Sequence, residues 1–450
     1  MSPAARAATP REVPALAAPR RPRLPRVSER ILANGLRVVA ARRPAVPLVH
    51  VRLRVPTATK RAGDVGRTEL LAQSMLLGTE RRSEAQLADD LQAMGGGVRA
   101  GGDPDGFTLS GESLAPELGG LLDVLGEVLT EATYPRSGVE RERARLAERG
   151  RLQLSQPPSA AADAWASRRY GEHPYGRRIP RPDEVLDIAP GSLRGMHGRR
   201  ITPDGSVLVV VGDVTPGRVL DLVERHLGGW TPTARRDPVP RVPALETGPL
   251  LLVDRPGSVQ ANLRFGGDAP DLSDPSYAAV QVADAIFTGL FSSRLIANLR
   301  EDKGYTYGSY STIRHQRAGS SLAVGVDVAT DVAAPALVET LYELGRIVTL
   351  PPQPDEVDAA VHYLTGTAML GAATQSGLAD TLIHLLVRGL DVSWLRDHPA
   401  RLAEVDVDQV QAAASALLAH HRLVWTVLGD ADLLQAPLAT VTEVTTLAGA

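Results

Sequence analysis

An arginine and a tyrosine seven residues apart are the residues of this chain whose types and spacing could do chemistry. Arg300 and Tyr307 lie in the stretch from Phe291 to Tyr310, FSSRLIANLREDKGYTYGSY. A guanidinium fork and a phenol held on one rigid turn can together grip a carbonyl or carboxylate oxygen. By local pattern alone the stretch is more typical of an exposed helix end followed by an edge strand.

The residues around this pair predict the elements that hold it. Leu295 and Leu299 are four apart and would share one face of a helix, which ends in the charged run from Arg300 to Lys303. Gly304 permits a left-handed stop. The stretch is therefore predicted to be a helix, a glycine turn and a strand.

Other catalytic patterns are absent from the sequence. The chain has no cysteine, no Gly-x-Ser-x-Gly elbow and no phosphate-binding GxxxxGK[ST] loop. Its histidines are scattered, and the adjacent pair His420-His421 is interpreted as a solvated helix end. A self-contained metal site is not expected.

Composition indicates a globular protein and excludes some partners. The chain has 450 residues and a net charge of −3, which gives no reason to expect nucleic-acid binding. No apolar run approaches a membrane span, so we expect no membrane partner. Residues 1–27 lack the apolar core of a secretory signal and are predicted to be a disordered arm, with a transit peptide as the alternative. We expect a cytoplasmic protein.

Periodicity predicts an α+β fold. An Asn34-Gly35 turn between apolar segments is a strong hairpin signal, and Leu48 to Val55 alternates as a half-buried strand. Pro116 to Leu129 predicts an amphipathic helix, and Val207 to Gly212 predicts a buried strand. These elements predict an antiparallel sheet covered by helices.

The second half of the sequence repeats the first, which predicts a duplicated α+β unit. The domains are predicted at residues 28–230 and 249–450, with a proline-rich linker at 231–248. Three landmarks recur in the same order: Leu121–Leu129 and Thr340–Val348, Val210–Asp213 and Val427–Asp430, and the helices ending at Met94 and Arg300.

The order of these features resembles the M16 family of zinc peptidases, the pitrilysin and mitochondrial processing peptidase group, and in particular its short two-domain members. That family carries an arginine and, seven residues on, a tyrosine that reach the substrate, and these fall on Arg300 and Tyr307. The matching words are Leu32–Leu36, Gly66–Thr79, His173–Gly176, Val211–Asp213, Gln260–Leu263 and Phe291–Tyr310.

The chain departs from the family at the zinc site. Active members carry HxxEH on the first helix, where two histidines bind zinc and the glutamate activates water. Those positions hold Glu69, Ala72 and Gln73. The distant glutamate ligand falls on Arg149, or on Glu148 after a one-residue slip. Zinc binding of the family type is therefore expected to fail, and we predict no metal in this chain.

The resemblance implies two antiparallel-sheet-plus-helix domains that face each other across a cavity. It also implies a non-catalytic subunit of a heterodimeric metallopeptidase, in which a partner chain carries HxxEH and the zinc. This chain would add Arg300 and Tyr307 for binding the scissile carbonyl of a peptide substrate. The alternatives are an inactive structural or peptide-binding protein, such as a homodimer or complex scaffold, and an enzyme with a rebuilt metal site.

Overall fold

Each half of the chain folds into a six-stranded sheet with helices packed on it. The computed structural model describes residues 25–231 and 238–448. The predicted arm at residues 1–27 lies outside the described residues up to residue 24, and the predicted linker does so at residues 232–237. Residues 238–248 have no helix or strand.

The first domain has the strand order β1-β2-β6-β3-β5-β4. Its strands are β1 (Arg26–Ile31), β2 (Arg37–Arg42), β3 (Leu48–Pro56), β4 (Gly97–Asp103), β5 (Gly106–Leu114) and β6 (Val207–Gly212). Its helices are α1 (Val65–Ser74), α2 (Glu84–Ala93), α3 (Leu118–Thr130), α4 (Arg136–Ser155), α5 (Pro157–Tyr170), α6 (Pro182–Leu186), α7 (Ser192–Arg200) and α8 (Pro216–Leu227). The Asn34-Gly35 hairpin is confirmed, because β1 and β2 are antiparallel and Gly35 has a φ of +88°.

The second domain has the strand order β12-β7-β11-β8-β10-β9. Its strands are β7 (Leu250–Asp254), β8 (Gln260–Ala269), β9 (Ser309–Gln316), β10 (Gly319–Ala329), β11 (Val424–Gly429) and β12 (Val444–Leu447). Its helices are α9 (Tyr277–Asp284), α10 (Arg294–Ile296), α11 (Ala333–Thr349), α12 (Pro354–Gly371), α13 (Gln375–Leu386), α14 (Trp394–Ala403), α15 (Val407–Leu417) and α16 (Ala431–Ala439).

The two sheets share one topology over five strands, which confirms the duplication. β2, β6, β3, β5 and β4 of the first sheet correspond in order to β7, β11, β8, β10 and β9 of the second. Each sheet is mixed, whereas the sequence predicted an antiparallel sheet. The reason is that a late strand of each repeat returns after a series of helices and inserts parallel to an early strand, β6 beside β2 and β11 beside β7.

The buried strand β6 has both of its faces covered. Leu208 and Val210 face the core of the first domain, which contains side chains of α1, α3 and α8. Val207, Val209 and Val211 face the other way and pack against α13 of the second domain. The unbroken apolar run VLVVVG is explained by this double coverage, because alternation is lost when neither face meets water.

The two domains exchange helices across their interface. α13 of the second domain covers β3 and β6 of the first, while α5 of the first covers β8 and β11 of the second. Arg52 and Arg264 lie at equivalent positions of β3 and β8, opposite Val209 and Thr426. Arg52 Nε donates to Asp380 of α13 at 2.6 Å, and Arg264 Nη2 donates to the Pro158 carbonyl of α5 at 3.2 Å. Each sheet is therefore completed by the other domain.

One helical run, Tyr277–Asp302, is long and apolar enough to cross a membrane by composition, contrary to the sequence expectation that no segment approaches a span. About two thirds of its most apolar window is buried inside the protein. The run is also broken at residues 290–293, where no regular helix continues. It is the core helix region of the second domain, and its apolar content is explained by that burial.

Candidate functional site

Helices α1 and α4 bring Glu69, Gln73 and Arg149 together. Arg149 Nη1 donates to Glu69 Oε1 at 3.2 Å, and Arg149 Nη2 donates to Gln73 Oε1 at 3.1 Å. Gln73 Nε2 donates to Glu69 Oε1 at 2.9 Å, across one turn of α1. The three side chains form a closed hydrogen-bonded cluster at the positions where the sequence resemblance places the zinc ligands.

This cluster does not fit a zinc ion. A guanidinium has no acceptor atom and keeps its positive charge, so Arg149 repels a cation and cannot coordinate one. Gln73 supplies only an amide, and Ala72, at the position of the general base, is fully buried in the core. The described residues contain no group of three histidine, aspartate or glutamate side chains arranged to hold a metal ion.

The structure places Arg149 rather than Glu148 against α1. Glu148 Oε2 accepts from Arg151 Nη1 at 2.9 Å on the solvent side of α4. Successive residues of a helix point about 100° apart, so only one of the two neighbours can face α1. Of the two neighbours, Arg149 is therefore the one that contacts α1.

Burial and the arginine act in opposite directions on Glu69. Burial raises the pKa of the Glu69 carboxyl, whereas the Arg149 charge and the Gln73 hydrogen bond lower it, with a net upward shift. The carboxylate is thus held in a partly desolvated position by one cation. This arrangement is that of a structural ion pair.

Close packing of α1 on strand β4 sets the position of the cluster. A Cβ atom on Gly102 would lie 2.6 Å from the Thr68 carbonyl oxygen and 3.1 Å from Glu69 Cα. Only glycine leaves room for the helix backbone here. Gly102 is therefore required by the approach of α1.

Arg300 lies in a π-type turn, Ala297–Asp302, that follows α10. Lys303 N donates to Asn298 O over five residues at 3.1 Å. Such turns insert an extra residue and are frequent at functional sites. The sequence predicted an ordinary helix here. Leu295 and Leu299, predicted to share one face of a helix, are both buried. The predicted left-handed Gly304 is confirmed, with a φ of +68°.

The Arg300 and Tyr307 side chains are presented to solvent. Arg300 is 36% exposed, pairs with Glu301 at 3.3 Å, and stacks over the Phe291 ring with Cζ 4.6 Å from its centroid. Tyr307 is 97% exposed. Thr306 fixes the turn between them, because its Oγ1 donates to the Asp327 carbonyl at 2.7 Å.

Within one chain the arginine–tyrosine pair is separate from the Glu69 cluster. In the described part of the chain no hydrogen bond joins Arg300 to Tyr307, and neither lines the spaces between the domains. A cavity of about 880 Å³ does lie between the two domains, lined by β3 and β5 on one side and by β9 and α13 on the other. A smaller space of about 230 Å³ reaches Glu69.

Sequence reasoning missed the role of Tyr175 in His173–Gly176. The Tyr175 hydroxyl donates to Asp105 Oδ1 at 2.7 Å and accepts from Ala318 N at 3.0 Å. Asp105 Oδ2 also accepts from Arg317 N at 3.0 Å. The buried tyrosine therefore ties the β4–β5 turn of the first domain to the β9–β10 turn of the second. The available sequence signal for this role was the segment HPYG, residues 173–176, which places an aromatic residue in a proline-rich connection.

Two family models cover most of the chain. The model "Insulinase (Peptidase family M16)" matches residues 37–183, and the model "Peptidase M16 inactive domain" matches residues 187–364. The chain belongs to the M16 peptidase family. The two matches span both repeats, in the order that the duplicated fold requires.

Several curated M16 relatives carry names that include an activity. An uncharacterized zinc protease of Mycobacterium leprae is 27% identical over 63% of this chain and 64% of its own length. The mitochondrial-processing peptidase subunit beta of Neurospora crassa is 23% identical over 74% of this chain and 68% of its own length. The alignments thus span about two thirds of these relatives.

Solved structures share the fold over nearly the whole chain. A peptidase M16 inactive domain from Pseudomonas fluorescens superposes with a TM-score of 0.81 at 21% identity, covering 90% of this chain and 98% of that one. A protease from Helicobacter pylori superposes with a TM-score of 0.83 at 18% identity, covering 90% and 100%. The two-domain α+β M16 fold expected from the sequence is confirmed.

Proposed function

We propose that this chain is the non-catalytic, substrate-binding subunit of a heterodimeric M16 zinc metallopeptidase. The observation that carries the proposal is the hydrogen-bonded Arg149 guanidinium between Glu69 and Gln73, at 3.2 and 3.1 Å. A chain with that cation at the ligand positions needs a second chain to supply zinc and the general base.

The contribution of this chain is the pair Arg300 and Tyr307. Tyr307 is almost fully exposed and the Arg300 side chain is 36% exposed, so both side chains are accessible to a second chain. Their role is to bind the scissile carbonyl and stabilise the oxyanion that develops on it. One preorganised donor of this kind is worth about 3 kcal/mol.

The partner is a homologous M16 chain that carries HxxEH and the zinc ion. The family membership supports this choice, as does the name of one relative, a processing peptidase subunit beta, which marks that protein as one part of an assembly. The substrate is an extended peptide that adds to a sheet edge through main-chain hydrogen bonds. β4 and β9 are edge strands of the two sheets.

Co-expression with an HxxEH-bearing M16 chain from the same genome tests the proposal. We expect the mixture to cleave a quenched fluorescent peptide library and each chain by itself to be inactive. The control is the same mixture with the partner's HxxEH glutamate replaced by glutamine, which should assemble without cleaving. Stoichiometric catalytic zinc in this chain alone, or full activity of the partner alone, would contradict the proposal.

A structural or peptide-binding role is the second candidate, and one observation favours it. The chain is 23% identical over 58% of its length to cytochrome b-c1 complex subunit 1 of Homo sapiens, whose name places it in a complex rather than describing a protease. This role predicts a stable homodimer or complex that gains no cleavage activity with any HxxEH chain. Size-exclusion chromatography with light scattering, run beside the cleavage assay, separates the two.

A further inference from the structure

Two arginines, one from each domain, lie in the cleft between the domains. Arg178 follows the HPYG segment of the first domain, and Arg314 lies on β9 of the second. Both are exposed to the cleft. Together with Trp165 they line two adjoining spaces of about 230 and 60 Å³. In the described part of the chain neither guanidinium is paired with a carboxylate.

The carboxylates around these spaces are already paired. An unpaired positive charge therefore remains in the cleft, although acidic residues are close by. The pairs are Glu69 with Arg149 at 3.2 Å, Asp103 with Arg54 at 2.6 Å, and Asp163 with Arg181 at 2.6 Å.

A third arginine forms the wall of the smaller space. Arg264 is only 3% exposed and pairs with Asp327 through Nη1 at 2.7 Å. Its Nε finds no acceptor among the described residues. Buried donors are usually satisfied, so an acceptor brought by a ligand would remove an unfavourable contact. Arg264 also lies over the Tyr310 ring, 5.5 Å from its centroid.

The electrostatics of Arg178 agree with this geometry. Desolvation of the Arg178 guanidinium by the walls of the cleft, together with the charge of Arg314, lowers the pKa of Arg178 to about 10. Desolvation and like charges both disfavour the protonated form. A bound anion would oppose this shift, because a nearby negative charge favours the protonated form.

We propose that this cleft binds the carboxylate of an acidic peptide, held in a fork by Arg178 and Arg314. Guanidinium groups bind carboxylate oxygens in pairs of parallel hydrogen bonds, which gives such contacts their strength and direction. The carboxylate comes from an acidic side chain or from the C-terminus. That the carboxylate belongs to a peptide rests on the proposed function. That the site binds a carboxylate rests on the unpaired arginines alone.

Fluorescence anisotropy with the purified full chain tests this site without any partner chain. The probe is a fluorescein-labelled hexapeptide ending in Asp-Glu-Asp, compared with its Asn-Gln-Asn and C-terminally amidated forms. We expect the acidic probe to bind at least tenfold more tightly than a probe that is both neutral and amidated. The single changes identify which carboxylate is bound, and binding should weaken with added salt.

The variant Arg178→Gln/Arg314→Gln should lose at least tenfold in affinity for the acidic probe. Arg136→Gln is the matched control, because Arg136 is an exposed arginine on α4 that lies outside the cleft and pairs with Glu140. Arg178→Lys/Arg314→Lys keeps the positive charge but loses the forked hydrogen bonds. Its affinity for the acidic probe should therefore fall between that of the wild type and that of the glutamine double variant. If the glutamine variant melts early, the lysine variant carries the test.

Three results would overturn the proposal. The first is equal affinity for the acidic and neutral probes, and the second is unchanged affinity for the acidic probe in both double variants. The third is that inorganic phosphate displaces the labelled acidic hexapeptide as well as an unlabelled acidic peptide does. Cleavage by a heterodimer is a separate readout. Loss of peptide binding here would leave that activity possible, and a heterodimer without activity would leave this binding measurable.

Discussion

Arg149 Nη1 lies 3.2 Å from Glu69 Oε1, so a positive charge from α4 faces the part of α1 where active M16 chains bind zinc. Substitution of the imidazoles alone would leave a weakened ligand set. The arginine goes further, because it fills the position with a group that cannot coordinate a metal. Four predictions follow from this and related contacts.

Rebuilding the metal ligands should require removal of Arg149. Glu69→His/Gln73→His/Arg149→Glu supplies two imidazoles and a carboxylate, and should take up zinc near one equivalent after dialysis, measured by atomic emission. Glu69→His/Gln73→His with Arg149 retained should hold little, since the cation remains. Equal zinc content in the two variants would show that Arg149 does not block the site.

Tyr307→Phe should lower the turnover of the proposed heterodimer roughly 100-fold by removing one donor to the oxyanion. Assembly should be unaffected, because the side chain is 97% exposed and its hydroxyl has no hydrogen bond to the described residues. Tyr342→Phe, which removes an exposed phenol from α11, is the control. A normal rate with Tyr307→Phe would remove that residue from the mechanism.

Tyr175→Phe should loosen the contact between the domains. The change leaves Asp105 Oδ1 and Ala318 N without a partner in a buried place, at a cost of about 2 kcal/mol in the free energy of unfolding. Hydrogen exchange should become faster at the β9–β10 turn. Tyr134→Phe, whose hydroxyl bonds His197 inside the first domain, should destabilise the protein without that local effect.

Asp284→Asn should change how stability depends on pH. Asp284 is half-buried beside β9, and desolvation of its carboxyl raises its pKa from 3.8 to about 6 despite hydrogen bonds from Ser311 and Thr288. The folded chain thus binds this proton more tightly than the unfolded chain, so the wild type loses stability as pH rises from about 4 to about 6.

The amide variant lacks that titration. Relative to Asp284→Asn, the wild type should lose roughly 2 kcal/mol between pH 4 and pH 7, measured from urea midpoints. Ser311→Ala removes a hydrogen bond that favours the charged form, so it should move the window to higher pH. Parallel pH profiles for the wild type and Asp284→Asn would mean that this carboxyl does not titrate there.

Local patterns predicted most of the elements. The Asn34-Gly35 turn, the apolar run Val207–Gly212 and the face shared by Leu295 and Leu299 depend on neighbours in sequence, and each is found as predicted. The duplication could be predicted because three similar sequence segments recur in the same order in the two halves, as expected for one unit used twice. The α+β fold therefore followed from the sequence.

Features that depend on contacts between residues far apart in the sequence could not be predicted from local patterns. The parallel insertion of β6 and β11 joins strands far apart in sequence, and no local pattern records it. Whether Arg149 or Glu148 faces α1 depends on the rotation of α4 against a helix about 80 residues away. The unpaired Arg178 and Arg314 are visible only after every carboxylate near them has been matched to a partner.

The exchange of α5 and α13 makes the fold of each half of the chain dependent on the other half. Each repeat now supplies the helix that covers the apolar sheet face of the other, with Trp165 of α5 donating to the Val424 carbonyl and Leu382 of α13 packing on the strands of the first domain. Deletion of either copy would expose that face to water, and even a chain cut between the halves would stay associated. Each half of the chain is therefore needed to cover the sheet of the other, so neither half is dispensable to the fold.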